Sequence, residues 1–176
     1  MLSSEYVALR AIEEKDLEKL LEWRNNPSLR RYFREHRELN SAQQLSWFNE
    51  KVNNDPSTKM FSIINKNNGE LIGACGLCYI DWVNKTADFS IYLGADDLYI
   101  DDKYAPDAAR AMMRYAFDEL ALNRLWAEIY SFDEKKFDFF KSLNFTLEGT
   151  HRQTHWAEGR WHNSYFFGYV KSDQGA

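Results

Sequence analysis

Residues 101–108 read DDKYAPDA and lead directly into ARAMMRYAFDEL, whose small and apolar residues recur at helical spacing. A loop that opens a helix is where backbone N–H groups and the helix dipole can hold a phosphate-bearing ligand. Glycine lets such a backbone approach closely, and this stretch has none. Pro106 also takes one N–H out of the first turn. Two readings stay open: an altered phosphate-holding loop, or an ordinary solvated loop before a helix begun by proline.

Other constellations carry possible chemistry. Cys75-Gly76-Leu77-Cys78 has redox or metal spacing. On a strand, however, positions three apart face opposite ways, and no second ligand pair follows, so no metal is expected. His151 and His155 are four apart, which suits zinc on a helix and not on a strand. If AEGR (157–160) is a turn, His155 faces His162 across a hairpin and Trp156 faces Trp161. The histidines then either bind a ligand or sit as polar residues on a half-exposed sheet. Arg24, Arg30, Arg31, Arg34 and Arg37 are interleaved with Tyr32, Phe33 and His36. Alone such a cluster suggests RNA; the other reading is a solvated loop with structural ion pairs.

These residues need a scaffold. The 176 residues suffice for one domain with its own core, expected over 1–171, with 172–176 a frayed tail. A content of 44% hydrophobic residues argues against disorder. A net charge of −5 argues against a dedicated nucleic-acid binder. No apolar run of about 18 residues marks a membrane span. The start lacks the basic and apolar regions of a signal peptide, so a cytoplasmic location is expected. One cysteine pair cannot build a disulfide framework.

The apolar periodicity predicts a strand at 6–12, a helix over 13–26, and an irregular Arg-rich segment over 28–40. A second helix is expected from Ser41, where SAQQ resembles a capping box. Strands follow at 60–65, 70–80 and 86–93. A helix runs from Pro106 to about Leu122, then a strand over 124–132. A helix capped by Asp133 stops at Asn144, and two strands flank AEGR. The order βααβββαβαββ predicts an α/β fold with a mixed, mostly antiparallel sheet flanked by helices. On the strand TADFSIYL, Asp88, Ser90 and Tyr92 share a face.

That order, with LIGACGL, ADFSIY, the 105–122 helix, RLWAEIYSFD, FFKSLNF and the final hairpin, resembles the Gcn5-related N-acetyltransferases (GNAT) across nearly the whole chain. The opening LRAIEEKDLEKLLEWRNNP is similar to their RimJ/RimL-like branch. The resemblance implies acetyl-CoA as co-substrate, without a metal. It further implies direct transfer to a primary amine on a protein N-terminus, an amino sugar or a small metabolite. The family's glycine-rich pattern falls on Asp101, Lys103, Ala105, Pro106, Asp107 and Ala108. Amides of Asp102, Lys103, Tyr104 and Ala105 would then hold the diphosphate, with the Lys103 ammonium as an added charge. Losing one charge-assisted bond there costs about 1.5–3 kcal/mol, roughly ten- to a hundredfold in affinity.

By the same resemblance Asp88 is the general base, acting through water, and backbone N–H groups around Ile91 and Tyr92 polarise the acetyl carbonyl. The family's thiolate-protonating Tyr falls on Phe140, which has no hydroxyl. Tyr130 or Ser131 is the substitute near the sulfur. Asp133 stands at the family's Asn, which meets the pantetheine arm, and Asn144 replaces a Gly. The rival reading is a catalytically degenerate domain of the same fold that binds a CoA-like ligand or a protein partner. A polyamine acetyltransferase is a third reading, and it would need acidic residues on the acceptor side. A homodimer through the sheet edge or the final hairpin is compatible with all three.

Overall fold

The computed structural model describes residues 1–174. Its frame is an eight-stranded sheet in the order β1-β2-β3-β4-β5-β6-β8-β7. The strands are β1 (Leu2–Ser3), β2 (Val7–Ala11), β3 (Lys59–Asn65), β4 (Leu71–Asp81), β5 (Thr86–Leu93), β6 (Arg124–Tyr130), β7 (Thr146–Ala157) and β8 (Arg160–Val170). The helices are α1 (Leu17–Asn25), α2 (Pro27–Arg30), α3 (Ser41–Trp47), α4 (Tyr104–Arg114) and α5 (Glu134–Ser142). All neighbours pair antiparallel except β5 and β6. The expected mixed, mostly antiparallel sheet is therefore present. Parallel strands need a long crossover, and α4 supplies it.

Several boundaries moved for local reasons. Asn40, not Ser41, caps α3: its side chain accepts from Gln43 N at 2.9 Å, and Gln43 Oε1 accepts from Asn40 N at 3.0 Å. The segment expected to be irregular begins with the short α2, capped by Asn26 and opened by Pro27. α4 starts at Tyr104, two residues before Pro106. It relaxes into a π-helical stretch over Tyr115–Glu119. Lys171–Asp173 form a helical turn where a frayed tail was expected, and 175–176 lie outside the described residues. The Glu158-Gly159 turn has both residues at positive φ, 51° and 76°, as a two-residue hairpin requires. His155–His162 and Trp156–Trp161 are cross-strand pairs, as the turn predicted.

The core joins both ends of the sheet through fully buried Leu9, Ile63, Leu77, Ile91, Phe117, Phe140 and Phe167. α4 presents Ala105, Ala108, Ala109, Met112 and Met113 to the interior. Small residues on that face let the helix lie close on the sheet. Gly94, just past β5, is pressed against Trp23 of α1; a Cβ there would lie 2.0 Å from the indole. This contact sets α1 over the end of β5.

Candidate active site

The site begins where β5 and β6 part. Their pairing covers three residues, ending at Asp88 opposite Trp126. Beyond that, Leu93 bonds away from β4, exchanging hydrogen bonds with Tyr99 at 2.8 and 3.0 Å, while Gly94 N bonds back to Ile72 of β4. Strand alternation therefore points the Ile91 N–H toward the β6 side, where β5 has no partner strand, and the Tyr92 N–H toward β4. A cavity of about 770 Å³ enters this gap, lined by Asp88, Phe89, Ser90, Ile91 and Tyr92 from β5 and by Ala127, Glu128 and Tyr130 from β6. α5 adds Lys136 and Phe140, and the α1–α3 region closes the outer side.

Asp88 is 4% exposed. Burial pushes its carboxyl above the ordinary value, against the pull of Arg34. Arg34 Nη1 donates to Asp88 Oδ2 at 2.7 Å, and Arg34 Nη2 lies 3.8 Å from Glu128. Arg34 comes from the loop after α2 and also lies over the rings of Tyr79 and Trp126.

Lys136 was not singled out by sequence reasoning. It lies one turn ahead of Phe140 on the same face of α5 and lines the cavity. Burial pushes its ammonium below the ordinary lysine value, opposed by Asp133 and Asp88. The available signal was a lysine on the face of α5 that otherwise carries Phe139 and Phe140. Asp133 caps α5, accepting from Lys136 N at 3.1 Å, and also accepts from the Tyr99 hydroxyl. Burial raises the Asp133 carboxyl despite the neighbouring lysine.

The DDKYAPDA segment holds a carboxylate of its own. Asp101 accepts from the amides of Tyr104 at 3.1 Å and Ala105 at 2.8 Å. Asp101 thus satisfies two of the N–H groups that α4 leaves free at its start. Lys103 Nζ lies over the rings of Tyr6 and Tyr104. Asp107 turns inward and ties α4 to the start of the chain. It accepts from Ser4 Oγ at 2.6 Å, Tyr6 N at 2.8 Å and Val7 N at 3.0 Å.

Tyr130 lines the cavity with its ring stacked on His155, 3.7 Å between centroids. Ser131 lies apart, in a shallow recess with Phe132, Arg160 and Trp161. The structure therefore brings Asp88, Tyr130, Ile91 and Tyr92 together and leaves Ser131 outside. Cys75 is fully buried, and burial pushes the Cys78 thiol up to about 12. Among the described residues no cluster of three or more His, Cys, Asp or Glu could hold a metal ion. No helix among them is long and apolar enough to cross a membrane.

The strands β5 and β6 thus part beside the buried Asp88. The acetyltransferase (GNAT) domain family matches residues 7–146, and the chain belongs to that family as an N-acetyltransferase. It is 27% identical over 174 residues to the uncharacterized N-acetyltransferase p20 of Bacillus licheniformis, covering 98% of this chain and 97% of that protein. It is 29% identical over 164 residues to spermidine N(1)-acetyltransferase of Escherichia coli K12, covering 93% and 86%. The spermidine N-acetyltransferase of Vibrio cholerae, solved with CoA and spermine, superposes with a TM-score of 0.85 at 21% identity, covering 95% of this chain and 96% of that one. The Escherichia coli and Vibrio cholerae relatives carry spermidine names where the RimJ/RimL-like branch was expected.

Proposed function

We propose that the chain acetylates a primary amine on a small molecule, by direct transfer from acetyl-CoA within a ternary complex. The observation that carries this is the gap after Asp88–Trp126, into which the Ile91 amide and the buried Asp88 both open. The acyl end of the co-substrate fits that gap. At the other end, the Tyr104 and Ala105 amides already serve Asp101. That leaves the Asp102 and Lys103 amides and the Lys103 ammonium for a diphosphate. Asp133, which accepts from the Tyr99 hydroxyl at the start of α5, would meet the pantetheine arm. Acetyl-CoA, when bound, supplies the acetyl group as an activated thioester.

Ile91 N–H holds the developing oxyanion. Asp88, ionised, takes the proton from the acceptor ammonium through water. Phe140 has no proton to give, so Tyr130 and Lys136 are the donors available to the departing sulfur. Both cysteines are buried or held as thiols, which favours direct transfer over a thioester on the protein.

Small-molecule relatives favour a metabolite over the protein N-terminus implied by a RimJ/RimL-like placement. A V. cholerae relative is described as dodecameric. Here β7 is the sheet edge, and Trp156 and Trp161 at its hairpin are 56% and 55% exposed. Pairing of two copies through this edge belongs to the proposal, with light scattering of the wild type and Trp161→Glu as its check.

The test of function is thiol release from acetyl-CoA across a panel of primary amines, with calorimetry of CoA binding beside it. Amine-dependent release together with CoA binding supports the reading. A protein that binds no CoA at millimolar ligand overturns it.

A further inference from the structure

Most charges around the cavity are paired; among the described residues Arg24 and Lys136 are the lining cations without an ion pair, and Lys136 is influenced by Asp133 and Asp88. Glu35 gives both carboxylate oxygens to Arg37, at 2.9 and 2.7 Å. Asp55 faces Lys51 at 3.2 Å, and Asp88 and Glu128 face Arg34. Arg24 lines the same cavity, and its guanidinium donates only to the neutral Gln44 Oε1, at 2.8 Å. The Trp47 ring centroid lies 5.0 Å from the Arg24 Cζ. No carboxylate lies within ion-pair distance of it among the described residues.

Two more donors stand unmatched beside it. Gln44 is 1% exposed, and its Nε2 has no partner. Arginine can only donate, so Gln44 must turn its oxygen to Arg24 and keep its NH₂ spare. The Tyr92 ring packs against Trp23 and Phe33 and lines the cavity, and its hydroxyl makes no hydrogen bond among the described residues. A buried donor without an acceptor, such as Gln44 Nε2, is disfavoured unless a ligand supplies the acceptor. A polycation entering this cavity would meet carboxylates already paired and, away from Lys136, the unpaired Arg24.

We infer that the acceptor is a primary amine carrying an anionic oxygen group, a carboxylate or a phosphate, which docks on Arg24 beside Tyr92. This deepens, and rests on, the acetyl-transfer reading above. Asp88 and Tyr92 share a face of β5 four residues apart, about 13 Å between Cα atoms. The amine and the anion are accordingly several bonds apart, unlike in an α-amino acid.

The probes are 6-aminohexanoate, 6-aminohexyl phosphate, hexylamine, 1,6-diaminohexane and spermidine. The two anionic amines are expected to exceed hexylamine and the diamine by about tenfold or more in kcat/KM, the gain of one charge-assisted hydrogen bond. Their ranking separates carboxylate from phosphate. Arg24→Gln brings the ratio toward one, and Arg24→Lys restores part of it. Preference for the diamine or spermidine, or a ratio that survives Arg24→Gln, overturns the inference and leaves acetyl transfer standing. If no amine is acetylated, acetyl transfer fails. Calorimetry of 6-aminohexanoate and 6-aminohexyl phosphate with the CoA-saturated protein then decides alone: Arg24-dependent binding of either supports the anion site, and its absence overturns it.

Discussion

Arg34 Nη1 donates to Asp88 Oδ2 at 2.7 Å across 54 residues of sequence, so the buried acid facing the gap is held by a cation from the loop after α2. Burial raises the Asp88 carboxyl and Arg34 opposes that rise. A base must be ionised, so turnover is expected to rise with pH through a value above the ordinary carboxylate range. Asp88→Asn should lower kcat by roughly 10²–10⁴ while CoA binding holds. Arg34→Met should move the acid limb of the rate profile upward. A limb that stays in place in Arg34→Met would remove Asp88 from the base role.

The departing sulfur needs a proton, and the cavity offers Lys136 and Tyr130. Lys136 has its ammonium lowered by burial, whereas burial raises the Tyr130 hydroxyl. The better acid at neutral pH is Lys136. Lys136→Met should lower kcat more than Tyr130→Phe, with a smaller loss on a thioester whose leaving thiol is more acidic. Equal losses on both thioesters would assign Lys136 to packing alone.

Asp101 occupies the first amides of α4, where under the proposed function it would compete with a diphosphate. Asp101→Ala removes a negative charge and frees the Tyr104 and Ala105 amides. CoA should bind roughly tenfold tighter, while the loss of the two capping bonds destabilises the fold by about 1 kcal/mol. Calorimetry and thermal melting read the two effects separately. Weaker CoA binding would show that Asp101 shapes the loop for its ligand.

The Asp107 carboxylate, 2% exposed, joins α4 to β2 and the residues before it. Burial pushes it up, but Ser4 and the amides of Tyr6 and Val7 win, and its value lies below the ordinary one. Asp16 is held down in the same net sense, by Arg10, the Glu13 amide and Ser62 against burial. A depressed carboxylate stabilises the fold above its unfolded value, near 4, and that gain is lost as pH falls through the folded value. Asp88 and Asp133, both raised, act oppositely: stability falls as pH rises toward their folded values. Urea unfolding should therefore show greatest stability in mild acid and a fall below about pH 4. Asp107→Asn should reduce stability at pH 7 by about 2–3 kcal/mol and flatten the acid-side fall.

Much of this was legible before any coordinates. The alternation of TADFSIYL located β5 to the residue and put Asp88, Ser90 and Tyr92 on one face. Asn144, expected to end α5, sits at φ 63°. Legibility failed where a distant or unusual partner decided the matter. α4 begins early because Asp101, outside the helical pattern, caps it. β1 is two residues long, and its register depends on β2. The Arg34–Asp88 pair and the spare donors around Arg24 join segments whose spacing carries no local signal. Asp107 matched a family position and proved to be a tie to the start of the chain.

Only three residue pairs join β5 to β6, so the sheet is two plates meeting at a short seam: β1 to β5 on one side, β6, β8 and β7 on the other. Phe140 spans that seam, its ring meeting Phe89 of β5 at 5.9 Å and Phe167 of β8 at 6.2 Å. The ring that lacks a hydroxyl for catalysis is the rivet between the plates. Cutting it to alanine would let the two plates open as separate units in amide exchange, the smaller one first.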